Sequence, residues 1–377
     1  MASSQVKDVL LVGFGAVGAI YSLILHRSNR VRVTVVARSN YDIVDREGVH
    51  FKSAKYGTIN GWQPDRLCRS VAEAADRPYA YVVVATKAIP ELIRTPQLLT
   101  PLLSGPYAKA YDQPTYVLLQ NGLNVEVDLY HAVAALGKGV PRIVSVAVWI
   151  GTNLAGPNIV EHGGFDRLTL GIYRHEHRTA GHNTPEEQAI LSDIGGILSA
   201  GGSEVTIVPE IQRQKFAKNF WNVAFSSYAT LTRFTVPALF RPPPSDPSVS
   251  YSPYVSPISA DAIERYTIPA IKAVMQEMIT LGRALGYPDD KDGLPSLLPD
   301  LVIESTRSIH VQPNSSHKPS MMLDAERGQP LEVEVILGEV VRMAQQVGVD
   351  VPRIETLYAL LLVVQNQILG EREKAKM

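Results

Sequence analysis

A lysine, an asparagine and a serine recur at four-residue intervals within residues 214–231: Lys218, Asn222 and Ser226. On an α-helix this spacing puts the three side chains on one face. An ammonium group suits the reduction of a ketone, because it stabilises the developing alkoxide and can then donate a proton to it. The pattern favours a reductive site on this helix, and the alternative interpretation is a polar stripe that faces solvent.

A glycine-rich motif lies near the start of the chain, between an apolar strand pattern and a helical pattern. It consists of Gly13, Phe14, Gly15, Ala16, Val17 and Gly18. In a dinucleotide-binding loop, Gly13 permits the tight turn, Gly15 lets the backbone approach the pyrophosphate, and Gly18 lets the helix pack on the strand. The N–H groups of the helix N-terminus favour a phosphate. We predict that Gly13 to Gly18 bind a dinucleotide, and the alternative is a glycine turn without a ligand.

The residues after the second predicted strand, residues 31–37, indicate which nicotinamide dinucleotide binds. NAD-binding domains usually place an acidic side chain there, which binds the ribose 2′-OH. This sequence has no acid at that place and has Arg38 instead. A guanidinium can pair with a 2′-phosphate. We therefore predict NADP as the cofactor, and the alternative is that Arg38 is solvated at the surface.

Polar residues follow two further predicted strands. Thr86-Lys87 comes after one apolar strand pattern, and Gln120-Asn121-Gly122 comes after the next. Ligands bind at the carboxyl ends of parallel strands. We expect Lys87 and Asn121 to contact the cofactor, and the alternative is that each is an ordinary polar exit from a strand.

The order of the predicted elements indicates an α/β protein with two domains. Apolar strands alternate with helix-length segments up to residue 119, which is typical of a parallel sheet with crossover helices. More closely spaced strand patterns extend this sheet in an antiparallel or mixed manner: residues 142–150, 158–162 and 167–172. After Pro209 the patterns are long and helical. We predict a Rossmann-type NADP-binding domain over residues 1–209 and a mostly α-helical catalytic domain over residues 210–377.

A proline-rich segment interrupts the C-terminal half. Residues 237–257 contain seven prolines and several serines. This composition is incompatible with a helix or a central strand. We interpret the segment as a mobile surface insertion in the catalytic domain, and the alternative is a lid over the site.

Composition and charge argue against several classes of function. The chain has 377 residues with 36 basic and 37 acidic side chains, a balance that disfavours a general nucleic-acid or acidic-membrane surface. We find no metal-ligand spacing, and the single cysteine, Cys68, cannot form an intrachain disulfide. From the N-terminal composition and the short apolar stretches we expect no signal peptide and no bilayer-spanning segment. We expect a soluble cytoplasmic protein without a metal.

The joint order of these motifs resembles the ketopantoate reductase (2-dehydropantoate 2-reductase) family. The resemblance extends roughly from Val9 to Pro352. The matching segments are the glycine motif, Thr86-Lys87, Gln120-Asn121-Gly122, Lys218 with Asn222, a middle hairpin at residues 161–164 and 170–171, and Ser320 to Asp324 followed by Glu332. Each motif alone is unspecific, whereas their order and spacing together are specific.

The resemblance implies roles for individual residues. Lys218 is then the general acid. Lys87 and Asn121 lie where the nicotinamide and the substrate meet, and Glu277 matches a family acid more weakly. The positions that match substrate-binding residues are Asn222, Ser320, Asp324 and Glu332.

The reaction that the resemblance implies is the NADPH-dependent reduction of a 2-oxo acid to a 2-hydroxy acid. In the family this is the conversion of 2-dehydropantoate to pantoate in pantothenate biosynthesis. The expected partner is this small-molecule substrate, with no nucleic acid and no membrane, and a homodimer is compatible with the sequence.

Three departures from the family's pattern bear on the substrate. Ser226-Ser227 stands where the family usually has Asn-Pro, residues 146–149 are apolar where small polar residues are common, and the proline-rich insertion is atypical. They leave open another branched 2-oxo acid, such as 2-oxoisovalerate, or a ketone or imine of specialised metabolism. A non-catalytic NADP-binding sensor is a further alternative, against which the presence of Lys218 and Glu332 argues.

Overall fold

The computed structural model describes residues 6–246 and 248–375. They fall into two compact units, the first ending at Lys215 and the second beginning at Phe216. The division lies inside a single helix, α9 (Ile211–Trp221). The turn of α9 that carries Lys218 therefore belongs to the second unit.

The first unit is built on one sheet. Within the described residues its strands are β1 (Lys7–Val12), β2 (Val31–Val36), β3 (Val49–Ser53), β4 (Gly57–Trp62), β5 (Arg66–Cys68), β6 (Tyr81–Val84), β7 (Thr115–Leu118), β8 (Ile143–Gly156), β9 (Ile159–Ile172) and β10 (Glu204–Ile207). They follow the order β4-β3-β9-β8-β7-β6-β1-β2-β5, and β10 pairs with β9. From β5 to β8 all neighbouring strands are parallel, whereas β8 and β9 form a long antiparallel pair.

The parallel strands are buried on both faces. Every residue of β6 and β7 is buried, as are the last four residues of β1. Strands covered on both faces need apolar side chains at every position, which explains the continuous apolar runs in the sequence. Because β1, β2, β6 and β7 pair in parallel, their carboxyl ends lie at one edge of the sheet.

Helices connect the strands of the first unit. They are α1 (Ala16–Arg27), α2 (Tyr41–Glu47), α3 (Val71–Ala74), α4 (Thr95–Leu98), α5 (Thr100–Leu103), α6 (Gly105–Ala110), α7 (Val127–Ala134) and α8 (Pro185–Ala200). The sequence Thr184-Pro185-Glu186-Glu187 predicts a capping box at the start of α8, and the structure confirms it. The Thr184 hydroxyl accepts from the Glu187 N–H at 3.2 Å, and the Glu187 carboxylate accepts from the Thr184 N–H at 2.7 Å.

The second unit is helical over its described residues. Its helices are α10 (Ser227–Thr232), α11 (Pro237–Phe240), α12 (Ala260–Ala262), α13 (Ile268–Ala284), α14 (Leu298–His310), α15 (Ser320–Glu326), α16 (Glu339–Val347) and α17 (Pro352–Lys374). Short π-helical segments occur at Asn222–Ser226, Ile263–Thr267 and Glu334–Gly338. The predicted fold class, a Rossmann-type α/β part followed by a mostly α-helical part, is confirmed.

Two parts of the first unit differ from the prediction. Strand β9 runs unbroken from Ile159 to Ile172, where we predicted two strands. Its glycines, Gly163 and Gly164, lie inside the strand, because the β8–β9 pair absorbs them with a register shift between Ile150 and Thr152. The β3–β4 hairpin and β5 were not predicted. Strands β4 and β5 show no clear apolar alternation, whereas β3, with Val49 and Phe51 buried, does alternate and was missed.

The proline-rich segment begins with a helical turn, which corrects the expectation that it contains no helix, while its mobility stays a prediction. Residues Pro237–Phe240 form one helical turn, with the proline at the first position, where no N–H is needed. Arg241 is only 1% exposed. Its guanidinium donates to the carbonyl oxygens of Pro253 at 2.8 Å, Pro313 at 3.0 Å and Ser315 at 3.2 Å. A buried guanidinium bound to backbone carbonyls holds this segment to the loop before α15.

Candidate active site

The glycine loop between β1 and α1 has the geometry that close approach of a phosphate requires. Gly13 has φ +101°, and a Cβ there would lie 2.6 Å from the Thr86 backbone nitrogen. A Cβ on Gly18 would lie 1.9 Å from the Gly13 carbonyl oxygen. No atom would lie within 4 Å of a Cβ on Gly15. Gly13 and Gly18 are thus needed for the fold of the loop, whereas Gly15 leaves open space above the backbone.

The N-terminus of α1 is suited to an anion. Gly15 is its N-cap residue, and among the described residues no side chain caps the helix there and no acid lies in the first turn. The N–H groups of the first turn therefore point toward the space beside the glycine loop. A dinucleotide pyrophosphate fits this site by charge and by hydrogen bonding.

The loop after β2 lies against the glycine loop. The Asn40 side chain donates from Nδ2 to the Phe14 carbonyl oxygen at 3.0 Å. Arg38, two residues earlier, is exposed. Sequence reasoning missed Asn40, although an asparagine just before a helical pattern is a recognisable N-cap signal.

The loops after β6 and β7 are joined by hydrogen bonds. The Gln120 side chain, which is 4% exposed, donates from Nε2 to the Thr86 hydroxyl at 3.3 Å. It also accepts from the Thr95 hydroxyl at 3.3 Å. Next to these residues, Lys87 is exposed and Asn121 is half-buried. The two predicted polar strand exits are therefore neighbours at one edge of the sheet.

A buried ion pair holds Lys215, in the N-terminal half of α9, within the first unit. Lys215 Nζ lies 2.6 Å from Glu126 Oε1, and the two side chains are 5% and 2% exposed. The Ser145 hydroxyl donates to the same carboxylate. Sequence reasoning missed this pair, because 89 residues separate its members and neither belongs to a local motif.

The segment predicted as one α-helix around Lys218 is interrupted. Helix α9 ends at Trp221, the π-helical segment Asn222–Ser226 follows, and α10 continues the chain. Lys218 and Asn222 are half-buried, and Ser226 is buried. The three side chains therefore do not form a stripe in open solvent. π-Helical turns are frequent at functional sites, because they reposition side chains within a helix.

Glu332 lies in the second unit just before another π-helical segment, Glu334–Gly338. It is 7% exposed. The backbone of Leu331 beside it is held by the Gln365 side chain, which accepts from the Leu331 N–H at 2.8 Å and donates to its carbonyl at 3.2 Å. On the other side, Asn219 Nδ2 donates to the Ile336 carbonyl at 2.8 Å. The segment of Glu332 and the helical turn of Lys218 are thus joined directly.

The remaining predicted substrate residues lie on α15. Ser320 is its first residue and is exposed, and Asp324 is 6% exposed. At the end of α14, His310 Nδ1 lies 2.8 Å from the hydroxyl of Ser315, which is in the loop before α15. Burial and the neighbouring His317 lower the pKa of His310 to about 4, so that its ring is neutral at pH 7. This hydrogen bond ties the end of α14 to the loop before α15.

Glu277, the weaker match, has a structural explanation. Its carboxylate accepts from the backbone N–H groups of Arg353 and Ile354 at 3.0–3.1 Å and pairs with the Arg353 guanidinium at 3.1 Å. These groups form the first turn of α17. Glu277 therefore caps a helix N-terminus, where a negative charge is stabilising.

Comparison with known families agrees with this fold. The profile of the family "Ketopantoate reductase PanE/ApbA" matches residues 9–175, and that of its C-terminal domain matches residues 257–365. Together the two matches account for more than two thirds of the chain. The chain therefore belongs to the ketopantoate reductase PanE/ApbA family. Members of this family are NADP-dependent oxidoreductases that act on a CH–OH group.

Individual relatives cover nearly the whole chain. An uncharacterized protein of Saccharomyces cerevisiae is 27% identical, over 96% of this chain and 94% of its own length. The 2-dehydropantoate 2-reductase of a Nostoc species is 23% identical, over 93% of each chain. Both alignments extend over the two units of this chain.

Solved structures show the same fold. The 2-dehydropantoate 2-reductase of Methylococcus capsulatus superposes with a TM-score of 0.72 and 24% identity, covering 96% of this chain and 97% of its own. A D-mandelate dehydrogenase with NADH and anilino(oxo)acetate superposes with a TM-score of 0.70 and 16% identity, covering 96% and 99%. Over the described residues of this chain, every helix is too short or too polar to cross a bilayer.

Proposed function

We propose that this chain reduces a small 2-oxo acid to a 2-hydroxy acid with NADPH, and that Lys218 donates the proton. The observation that supports the proposal is the hydrogen bond from Asn219 Nδ2 to the Ile336 carbonyl, 2.8 Å long. It joins the helical turn of Lys218 to the segment that begins with Glu332. A cation and an acid on two directly joined segments suit a site that protonates an oxyanion and binds the resulting hydroxyl.

The first unit would hold the cofactor. The backbone of the glycine loop and the N-terminus of α1 would bind the pyrophosphate, with the open space at Gly15 admitting it. Arg38, exposed after β2, would pair with the 2′-phosphate. Lys87 and Asn121 would contact the nicotinamide end. The bound nicotinamide supplies the hydride for the reaction.

Lys218 would complete the reduction. As a C–H bond forms at C2 of the oxo acid, the C=O π bond breaks and its electron pair moves to the oxygen. The Lys218 ammonium stabilises that charge and transfers one proton to it, which leaves a hydroxyl group and a neutral amine. The amine then takes a proton from water.

The substrate would be held by side chains of the second unit. Asn222 would place the carbonyl beside Lys218, and Glu332 would accept a hydrogen bond from a hydroxyl group. Ser320 and Asp324 would bind further polar groups of the substrate. A substrate with a hydroxyl group suits Glu332, and 2-dehydropantoate is therefore our first candidate, with a role in pantothenate biosynthesis.

An aryl 2-oxo acid is a second candidate, which the surroundings of Lys218 favour. Trp221 lies three residues after Lys218, and its ring centroid is 6.0 Å from that of Phe225 and 5.8 Å from that of His317. Such a cluster can pack against an aromatic ring. The similar D-mandelate dehydrogenase was solved with anilino(oxo)acetate, which carries an aromatic ring on an oxoacetate group.

A panel of 2-oxo acids tests the proposal. The purified protein would be mixed with NADPH and 2-dehydropantoate, 2-oxoisovalerate or phenylglyoxylate, and the loss of reduced-nicotinamide absorbance followed. We expect the highest kcat/KM with 2-dehydropantoate. A preference for phenylglyoxylate would establish the second candidate, and no turnover with any 2-oxo acid would contradict the proposed reaction.

We propose that the active protein is a homodimer. We also propose that it is located in the cytoplasm. A structure with a TM-score of 0.64 to this chain and 16% identity is described as a dimeric ketopantoate reductase from Staphylococcus aureus. Light scattering at micromolar concentration would test this state, and a monomeric mass at full activity would contradict it.

A further inference from the structure

We infer that Asn219 is a positioning residue, whose side-chain amide holds the turn of Lys218 in register with the segment of Glu332. The inference rests on the proposed function. No local motif in the sequence singles out Asn219, and it lies between the two residues that the helical spacing does single out, Lys218 and Asn222.

The contact of Asn219 is specific in its geometry. The side chain is 2% exposed, and Nδ2 donates to the Ile336 carbonyl at 2.8 Å. Ile336 lies in the middle of the π-helical segment Glu334–Gly338. Asn219 itself lies three positions before the start of the other π-helical segment of this region, Asn222–Ser226. The bond therefore joins two places where regular helical hydrogen bonding is interrupted.

An asparagine at this position has a cost. Among the described residues, Asn219 Oδ1 is buried without a hydrogen-bond partner. A buried acceptor without a partner is unfavourable, because it loses its hydrogen bonds to water on folding. An apolar side chain would avoid this loss. The contribution of the carboxamide must therefore come from its donor bond to Ile336.

The segment of Glu332 is then held from two sides. Gln365 fixes the backbone of Leu331 with hydrogen bonds of 2.8 and 3.2 Å, and Asn219 fixes that of Ile336. The bond from Asn219 also ties this segment to the helix of Lys218. Its loss would let the proton donor move relative to Glu332, and small misplacements of a donor lower the rate strongly.

The first test uses Asn219→Ala with Asn158→Ala as the matched control. Asn158 is 5% exposed and donates from Nδ2 to the Gly48 carbonyl at 2.9 Å, a similar buried amide bond within the first unit. We expect both variants to lose similar thermal stability. Only Asn219→Ala should lower kcat, by roughly 10- to 100-fold, with unchanged NADPH affinity and a larger solvent deuterium isotope effect on kcat.

The second test uses Asn219→Asp, which keeps the size of the side chain and so guards against misfolding. An ionised carboxylate cannot donate to the Ile336 carbonyl, whereas a protonated one can. We expect kcat of Asn219→Asp, relative to the unmodified enzyme, to be low at pH 8 and to rise as the pH falls.

The inference fails if Asn219→Ala and Asn158→Ala have the same kcat and isotope effect, or if the relative kcat of Asn219→Asp is independent of pH. Failure of the proposed function looks different. In that case Lys218→Ala would retain full turnover, whatever the Asn219 variants do.

Discussion

The glycine loop of the first unit and the helix around Lys218 in the second unit both supply candidate site residues, but they are built differently. The glycine loop is set by local sequence, because a Cβ at Gly13 or Gly18 would collide with backbone atoms of the loops around it. The segment around Lys218 is set by distant contacts, from Asn219 to Ile336 and from Lys215 to Glu126. A site whose geometry depends on long-range contacts should be sensitive to substitutions that no sequence motif marks.

The largest effect on stability is expected from breaking the Lys215–Glu126 pair. Lys215→Met would leave the Glu126 carboxylate buried without its cation, and such a loss typically costs about 3–5 kcal/mol in the free energy of unfolding. Urea-induced unfolding would measure it. The double variant Lys215→Met/Glu126→Gln should recover much of the loss, since no buried charge then remains. A loss below about 1 kcal/mol in the single variant would show that the pair adds little.

The next largest effect is expected from Arg38→Ala, on the preference for NADPH over NADH. Arg38→Ala should weaken NADPH binding by about 1.5–3 kcal/mol, the loss of a charge-assisted contact, and leave NADH binding nearly unchanged. Titration of cofactor fluorescence with both dinucleotides would measure this. Equal affinity of the unmodified protein for NADPH and NADH would contradict the assignment of Arg38.

Two alanine substitutions in the glycine loop should have opposite signatures. Gly18→Ala puts a Cβ 1.9 Å from a backbone oxygen and should lower stability by about 1–3 kcal/mol, the usual cost of overpacking. Gly15→Ala has open space and an ordinary φ of −78°, so stability should change by less than about 0.5 kcal/mol. Gly15→Ala should nevertheless weaken NADPH binding. Equal melting temperatures of the two variants would contradict the distinct roles.

The same difference decides which structural features could be predicted from the sequence. The strands β1, β2, β6 and β7, the glycine loop and the capping box of α8 were predicted, because each follows from residues adjacent in the chain. The π-helical turn after Trp221, the amide of Asn219 and the burial of Arg241 were not predicted. Each depends on packing between segments far apart in sequence, and no local periodicity encodes it.

The proline-rich segment shows the same limit. Its composition predicted no helix, yet a single helical turn, α11, forms there within the described residues. Composition gave no sign that the Arg241 side chain would be buried and bound to carbonyls of residues 253, 313 and 315. Those partners lie up to 74 residues away in the chain.

The turnover number of Lys218→Ala tests the central claim most directly. If Lys218 protonates the developing alkoxide, kcat should fall by roughly 10²–10⁴, while NADPH binding, measured by fluorescence titration, should change little. Lys218→Arg should also be slow, because a guanidinium rarely gives up its proton. Full turnover in Lys218→Ala would contradict the claim.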